Sequence, residues 1–130
     1  MKKQKDDATL SYIYNRCVFY MRCGNVKKVG RSRENHEYRG FIMFVARKFG
    51  YSLKQCGNIV NVHDHTTIKY FIKKINRDEI KKQYGDALFL KVQKDVAMHK
   101  LDLMESHYIQ ALSFVKKKKE ELMLKRKKRN

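Results

Sequence analysis

The predicted fold rests on RSRENHEYRGFIMFVARKFGYSLKQCGNIVNVHDHTTIKYFIKK, which runs from Arg31 to Lys74. Its first half repeats apolar residues at the spacing of an amphipathic helix, and Gly50, a residue that tolerates positive φ, ends that helix. Ser52 and Gln55 make the capping box of a second, short helix. Asp64 is a favoured N-cap for a third helix. Two helices joined by a tight turn, the second of them polar at its start, predict a helix-turn-helix.

Each of the three helices has an apolar face that predicts which side packs in the core. These faces are Tyr38, Phe41, Ile42, Val45 and Phe49 in the first helix, Leu53, Cys56 and Val60 in the second, and Ile68, Phe71, Ile72 and Ile75 in the third. Gly57 lies on the inner face of the second helix, where the lack of a side chain allows a neighbour to approach closely. The three faces together predict a small helical core.

Charge and composition narrow the class of partner. The chain has 130 residues, a net charge of +18 and a pI near 10.0. This excess of basic residues favours a polyanionic partner, because each cation placed on a phosphate releases a counterion. Nucleic acid is the first candidate, ahead of an anionic membrane surface. The three widely spaced cysteines are typical of reduced thiols, and the lack of proline favours an all-helical chain.

The whole chain is predicted to contain one helical domain and one long terminal helix. We expect a disordered N-terminus over residues 1–7 and a helical domain over 8–84, with its helix-turn-helix at about 52–76. A long amphipathic helix with a basic tail is expected over 85–130. The boundary between the two is placed at Gly85–Asp86, with Asp86 as the N-cap of the last helix.

The terminal helix carries a short heptad-like seam. Its members are Ala97, Leu101, Met104, Tyr108, Ala111 and Val115. Two interpretations stay open, namely a weak homodimer through residues 97–115 and packing of the seam on the domain. Two basic runs, at residues 116–119 and 125–129, follow the seam and predict contacts with phosphates.

Two patterns in the central segment resemble a known family. The first is Arg39-x-x-x-Met43-x-Val45-Ala46-Arg47-Lys48, and the second is Ser52-Leu53-x-x-x-Gly57 followed by Asp64-His65-Thr66-Thr67-Ile68 and Lys73-Lys74-Ile75. Over about residues 31–76 they resemble the C-terminal DNA-binding domain (domain IV) of the bacterial replication initiator DnaA. The DHTT tetrapeptide that opens the third helix is the most specific part. The resemblance implies an all-α, Trp-repressor-like domain whose partner is double-stranded DNA.

The resemblance also implies which residues read the DNA sequence. Asp64, His65 and Thr66 would reach base edges in the major groove, with Thr67 nearby. Arg31 would enter the adjacent minor groove, where a narrow, A·T-rich groove attracts guanidinium.

Basic residues around these positions are predicted to contact the DNA backbone. Arg39 and Arg47 match phosphate-contacting positions of the family. The remaining members of the predicted DNA-binding set are Arg33, Lys54, His63, Lys69 and Lys73.

The sequence departs from the family in three ways. Asn61-Val62-His63 precedes the DHTT tetrapeptide, where the family usually has Gly-Gly-Arg, so the turn and one basic contact differ. Lys54 replaces a proline, which adds a cation and removes an apolar base contact. There is no Walker A sequence in the chain, so we expect no nucleotide binding and none of the ATPase activity of the initiator.

Metal and catalytic sites are the alternatives to DNA contact for the residues around Asp64. His63 and His65 flank Asp64, and two residues at this spacing do not share one helix face; apart from Cys56, no further ligand stands at the spacing of a metal site. Asp64 has no acidic neighbour before Asp78, although a nucleolytic site needs paired carboxylates. We therefore expect no metal, no cofactor and no enzymatic activity.

Two residue types are expected to be structural. Cys17 and Cys56 lie on apolar faces and are predicted to be small core residues. Tyr12, Tyr20 and Tyr70 are predicted to be partly buried and not to stack on bases.

Together these observations predict an all-α protein that binds specific double-stranded DNA sequences as a transcription or replication regulator. We expect it in the cytoplasm, associated with the nucleoid of a bacterium or of the host of a phage or mobile element, and without a membrane partner. The alternative hypothesis is a nonspecific architectural or packaging protein that uses its charge alone. A preference for one sequence at fixed salt separates the two.

Overall fold

A computed structural model of the chain describes residues 7–26 and 33–129. These residues form five helices and no strand: α1 (Asp7–Met21), α2 (Arg33–Lys48), α3 (Leu53–Asn58), α4 (His65–Arg77) and α5 (Glu79–Arg129). The predicted all-α class and the long C-terminal helix are confirmed. The expected disorder of the N-terminus falls outside the described residues, except that Asp7 begins α1.

The chain divides into two units, residues 1–96 and residues 97–130. The first unit contains α1 to α4 and residues 79–96 of α5. The second consists of the remainder of that helix. None of the described helices combines the length and apolar character that crossing a membrane requires.

Helix α2 is the centre of the first unit. It contacts α1, α3 and α4, and its residues 41–46 are all buried. The predicted inner faces of α3 and α4 also point inward, since Cys56, Val60, Ile68 and Ile75 are buried, and Phe71 and Ile72 pack at the edge of the core. Burial of these faces stabilises the short helices, which would be marginal in isolation.

The caps predicted around α3 and α4 are present. Gly50, with φ of 93°, ends α2 and donates its amide to the Arg47 carbonyl at 2.9 Å. The Ser52 hydroxyl accepts from the Gln55 amide at 3.2 Å, and the Gln55 side chain accepts from the Ser52 amide at 3.2 Å. Asn61, with φ of 62°, lies in the turn between α3 and α4. These local signals set the path of the chain from α2 to α4.

The start of α5 differs from the sequence-based expectation. The helix begins at Glu79, and the Asp78 carboxylate caps it by accepting from two backbone amides of the first turn at 3.1 and 3.2 Å. Gly85 and Asp86 were predicted to mark a boundary, but both lie inside the helix. Gly85 is buried, and a Cβ on it would come within 2.7 Å of the Phe44 ring. This glycine therefore provides a close approach between helices and does not end one.

A polar cluster joins α1 to α5 within the first unit. Asp95 Oδ2 accepts from Arg16 Nε at 2.8 Å and from the Tyr20 hydroxyl at 2.5 Å. The hydrogen bond from Tyr20, and then that from Arg16, lower the pKa of Asp95. Tyr12 and Tyr20 are half-buried, as predicted. Because Asp95 lies next to the end of the first unit, the cluster anchors the last turn of α5 that belongs to it.

The cysteines give a test of this packing. Cys17 and Cys56 are buried, as predicted, and burial raises the pKa of both thiols, that of Cys56 to about 11. Cys23 is half-buried, and burial raises its pKa as well. We expect iodoacetamide at pH 8 to modify Cys23 slowly in the folded protein, and all three thiols only in denaturant. Mass spectrometry of the alkylated chain measures this, and rapid modification of Cys17 or Cys56 without denaturant would contradict the packing of α1 and α3.

Candidate nucleic-acid interface

The first turn of α4 is held by Asp64. One carboxylate oxygen accepts from the Thr66 amide at 3.4 Å, and the other accepts from the Thr67 hydroxyl at 2.7 Å. The hydrogen bond from Thr67 is the main reason that the pKa of Asp64 is lowered. Asp64 therefore stays ionised at neutral pH, and its charge lies at the positive end of the helix dipole. This arrangement fixes the Thr67 side chain and the backbone of the first turn at Thr66.

His65 and Thr66 are the exposed residues of this turn. Within the described part of the chain, neither side chain has a hydrogen-bond partner. The backbone amides of the first turn of a helix lack partners within the helix, apart from those that a cap satisfies. A helix N-terminus with free polar side chains can place both amides and side chains against a polar anionic ligand.

Helix α4 divides into an inner and an outer face. Its inner face packs on α2 and α3 through Ile68 and Ile75. The outer face is polar and exposed: from His65 and Thr66 at its start, Lys69, Lys73 and Asn76 follow at spacings of three or four residues. His65 and Thr66, which are predicted to read bases, thus share one side of one helix with Lys69 and Lys73, which are predicted to bind phosphate. We call this side the outer face of α4.

A shallow depression of about 540 Å³ lies at the C-terminal end of α4. It is lined by Tyr70, Lys73, Lys74, Arg77 and Asp78. Three of these residues are cationic, and Tyr70 is 59% exposed, so the prediction that Tyr70 is partly buried was wrong. The sequence analysis did not include Lys74 or Arg77 in the DNA-binding set. Helical spacing could have identified Arg77, because it follows Lys73 by four residues and so shares its side of the helix.

His63 lies in the turn before α4 and is exposed. Its Nδ1 lies 3.1 Å from Asn58 Oδ1, and its Nε2 lies 2.8 Å from Asn61 Oδ1. The imidazole therefore bridges the end of α3 and the positive-φ residue of the turn. This contact gives His63 a structural role in the turn besides the predicted contact with DNA.

Arg39 does not lie on the surface. It is buried, and its Nε donates to the Val26 carbonyl at 2.7 Å. Little of its guanidinium is left to reach a phosphate, and its contact holds the end of the segment after α1 against α2. We therefore leave Arg39 out of the interface. A buried arginine needs such a partner, because a buried charge without one is costly.

The other basic residues predicted to bind DNA differ in their surroundings. Arg47 is exposed, and its Nη1 donates to the Tyr51 carbonyl at 2.8 Å, which supports the end of α2. Lys54 is exposed on α3. Arg31 lies outside the described residues, and of Arg33 only the backbone, which begins α2, is described.

The described residues offer no cluster of side chains for the alternative of a metal site. Among residues 7–26 and 33–129, no three His, Cys, Asp or Glu side chains come together in a way that could hold a metal ion. Cys56 is buried and its Sγ lies 3.7 Å from the Tyr51 carbonyl. In the His63-Asp64-His65 sequence, the first side chain serves the turn and the second serves the cap.

Comparisons of the chain with family models, with curated proteins and with solved structures give no match.

Proposed function

We propose that the protein binds specific double-stranded DNA sequences, with α3 and α4 as a helix-turn-helix and the start of α4 in the major groove. The observation that carries the proposal is the outer face of α4. There His65 and Thr66 lie exposed at a capped helix N-terminus, and Lys69 and Lys73 follow on the same side of the helix. This is the arrangement in which base-reading side chains are flanked by phosphate contacts.

The resemblance to domain IV of DnaA supports the same assignment. In that domain the DHTT residues face base edges, and the matching residues of this chain stand at the start of α4. His65 can donate or accept a hydrogen bond, and the Thr66 methyl can pack on a thymine methyl. Asp64 first caps the helix, and its remaining lone pairs can accept from a cytosine amino group. Arg31 would enter the neighbouring minor groove. A regulator of transcription or replication is the role that such binding serves.

Phosphate contacts would come from both sides of this helix start. Lys69 and Lys73 lie on the outer face of α4, and the depression with Lys74 and Arg77 extends the positive surface toward the C-terminal end. Lys54 on α3 can contact the strand that passes the first helix of the motif. These contacts position the protein and carry no sequence information by themselves.

Selection of bound sequences from random duplex DNA tests the proposal. We expect enrichment of one short motif, and binding to it that exceeds binding to a scrambled duplex by at least about 10³-fold at fixed salt, the lower end of the range for specific DNA-binding proteins. Measurement of both affinities at several salt concentrations is needed, because the nonspecific part falls steeply with salt. An unselected pool, or equal affinities for both duplexes, would contradict sequence-specific binding.

The basic tail favours a second candidate, nonspecific binding. Its two runs, residues 116–119 and 125–129, lie on exposed helix, except that the side chain of Arg129 is outside the described part. A cationic helix without further shape can bind any polyanion through counterion release. If this were the whole function, the protein would have no preferred sequence.

Deletion of residues 116–130 is expected to separate the two contributions. The truncated protein should keep the preferred sequence, whereas the slope of log K against log salt should become less steep by roughly 0.9 for each lost phosphate contact. Fluorescence anisotropy with the selected duplex and its scrambled control measures both quantities. A truncation that changes the preferred sequence would show that the tail reads bases.

A further inference from the structure

The second unit is a helix whose apolar side chains are exposed. Residues 101–128 are all exposed, among them Leu101, Met104 and Tyr108 at 58%, 66% and 65%. An isolated helix in water gains nothing from such side chains, and contiguous exposed apolar surface marks a surface that binds a partner.

The exposed seam has a defined length and register. Its positions alternate spacings of four and three residues: Ala97, Leu101, Met104, Tyr108, Ala111 and Val115. The next positions of the same register are Lys94 before the seam and Lys118 after it. The apolar positions are therefore flanked by one lysine on each side, and Lys94 and Lys118 are equally far along the chain from Ser106.

From this symmetry we infer that the seam binds a second copy of itself, with the two helices antiparallel and Ser106 near the two-fold axis. In that arrangement each layer pairs a seam residue of one helix with the residue of the other helix that lies equally far from Ser106 on the opposite side. The layers are Ala97 with Val115, Leu101 with Ala111, and Met104 with Tyr108, each occurring twice. A small residue faces a larger one in the outer layers, so that all layers are filled to a similar extent. A parallel pair would instead place Ala97 on Ala97, Ala111 on Ala111 and Tyr108 on Tyr108, which alternates gaps with crowding.

The charges favour the same orientation. Residues 116–129 contain nine basic and two acidic side chains, so a parallel pair would bring two strongly cationic tails side by side. An antiparallel pair places the tails at opposite ends of the seam. By two-fold symmetry the parallel pair would gain two equivalent ion pairs, from Lys100 of each copy to Glu105 of the other, whereas the antiparallel pair brings the two Glu105 carboxylates together near the axis. Each exposed pair of either sign contributes little, and the repulsion between two tails with nine basic side chains each outweighs these pairs.

Sedimentation of the full-length protein tests the association. A seam of this length gives a weak dimer, so the wild type is expected to move from 15.6 kDa toward twice that mass as its concentration rises. Leu101→Lys should abolish this change, and Leu103→Lys, which alters an exposed leucine off the seam of the same helix, should leave it in place. A wild type that stays monomeric at all concentrations, or equal behaviour of the two variants, would overturn the inference.

Disulfide cross-linking tests the orientation. In a Cys23→Ser background, Leu101→Cys alone should not cross-link, because an antiparallel pair separates the two copies of residue 101 by about 15 Å along the helix axis. A mixture of Leu101→Cys and Ala111→Cys chains should give a cross-linked heterodimer. Cross-linking of Leu101→Cys to itself would show a parallel pair and overturn the inference. So would the absence of a cross-link in the mixture when sedimentation shows a dimer.

Glu105→Gln provides a third measurement that does not depend on cross-linking. It should tighten an antiparallel dimer by removing a like-charge pair, and it would weaken a parallel dimer by removing both ion pairs with Lys100. The inference does not rest on DNA binding, since all these experiments use protein alone. Tighter association of Glu105→Gln supports it, and weaker or unchanged association contradicts it.

Discussion

Replacing Gly57 with alanine is expected to destabilise the first unit by about 3 kcal/mol, the upper end of what overpacking usually costs. A Cβ at this position would lie 2.3 Å from Ile68 Cδ1 and 2.3 Å from the Val62 carbonyl oxygen. Ile68 is fully buried and has little room to rotate away. The Val62 oxygen belongs to the turn between α3 and α4, where the Val62 amide donates to the Gly57 carbonyl at 2.8 Å. Relief of the clash therefore has to move the two helices apart.

Two other buried glycines serve as matched controls. At Gly40 in α2 a Cβ would meet Ile75 and Phe71 at 3.4 and 3.5 Å, which is close to ordinary contact. Gly40→Ala should be neutral or stabilise by up to about 1 kcal/mol, because alanine favours the helix. At Gly85 the atoms nearest to a Cβ all belong to the ring of Phe44, the closest at 2.7 Å, so Gly85→Ala should have an intermediate cost.

Urea denaturation of the three variants measures these free energies. The near-ultraviolet tyrosine signal is the better probe, because seven of the eight tyrosines lie in the first unit, whereas the helical signal includes the whole of α5. We expect the order Gly40→Ala, Gly85→Ala, Gly57→Ala from most to least stable. A Gly57→Ala protein as stable as Gly40→Ala would show that α3 and α4 are not packed at this distance.

Local signals in the sequence were sufficient for the path of the chain from α2 to α4. Capping boxes, Asx caps and positive-φ glycines act over three or four residues, so Ser52, Gln55, Asp64 and Gly50 could be assigned without knowledge of the tertiary structure. The inner face of α4 followed from helical spacing for the same reason. What makes α3 and α4 neighbours is also local, since a single turn between two helices separates Gly57 from Ile68.

Properties that depend on distant partners could not be predicted in this way. Arg39 has the spacing of an exposed basic residue, and its burial depends on the carbonyl of Val26, which belongs to the segment after α1. Gly85 resembles a helix end in sequence, yet it meets Phe44 of α2. Tyr70 was predicted to be partly buried from its aromatic character, yet it is 59% exposed and lines the depression with the basic residues at the C-terminal end of α4. In each case the tertiary surroundings decide the outcome, and spacing along the chain does not report them.

The second large effect is expected at the start of α4. His65→Ala and Thr66→Ala should each lower affinity for the selected duplex by about 1–3 kcal/mol, or roughly 5- to 150-fold, and should leave affinity for the scrambled duplex nearly unchanged. Both side chains are exposed and neither is part of the cap, so their removal should not affect folding. Asp64→Ala is a poorer test, because it also removes the N-cap of α4.

Lys73→Ala is the matched control, since it changes an exposed residue two turns further along the same face. A phosphate contact is present on every sequence, so this variant should weaken binding to both duplexes by a similar factor and reduce the salt slope by about 1. Binding to a set of duplexes with each base pair changed in turn measures the difference. For His65→Ala the penalty at one or two adjacent base pairs should disappear, whereas for Lys73→Ala the profile should keep its shape at lower affinity. If the two variants give the same uniform loss, α4 contacts only the backbone, and the nonspecific function becomes the better account of this protein.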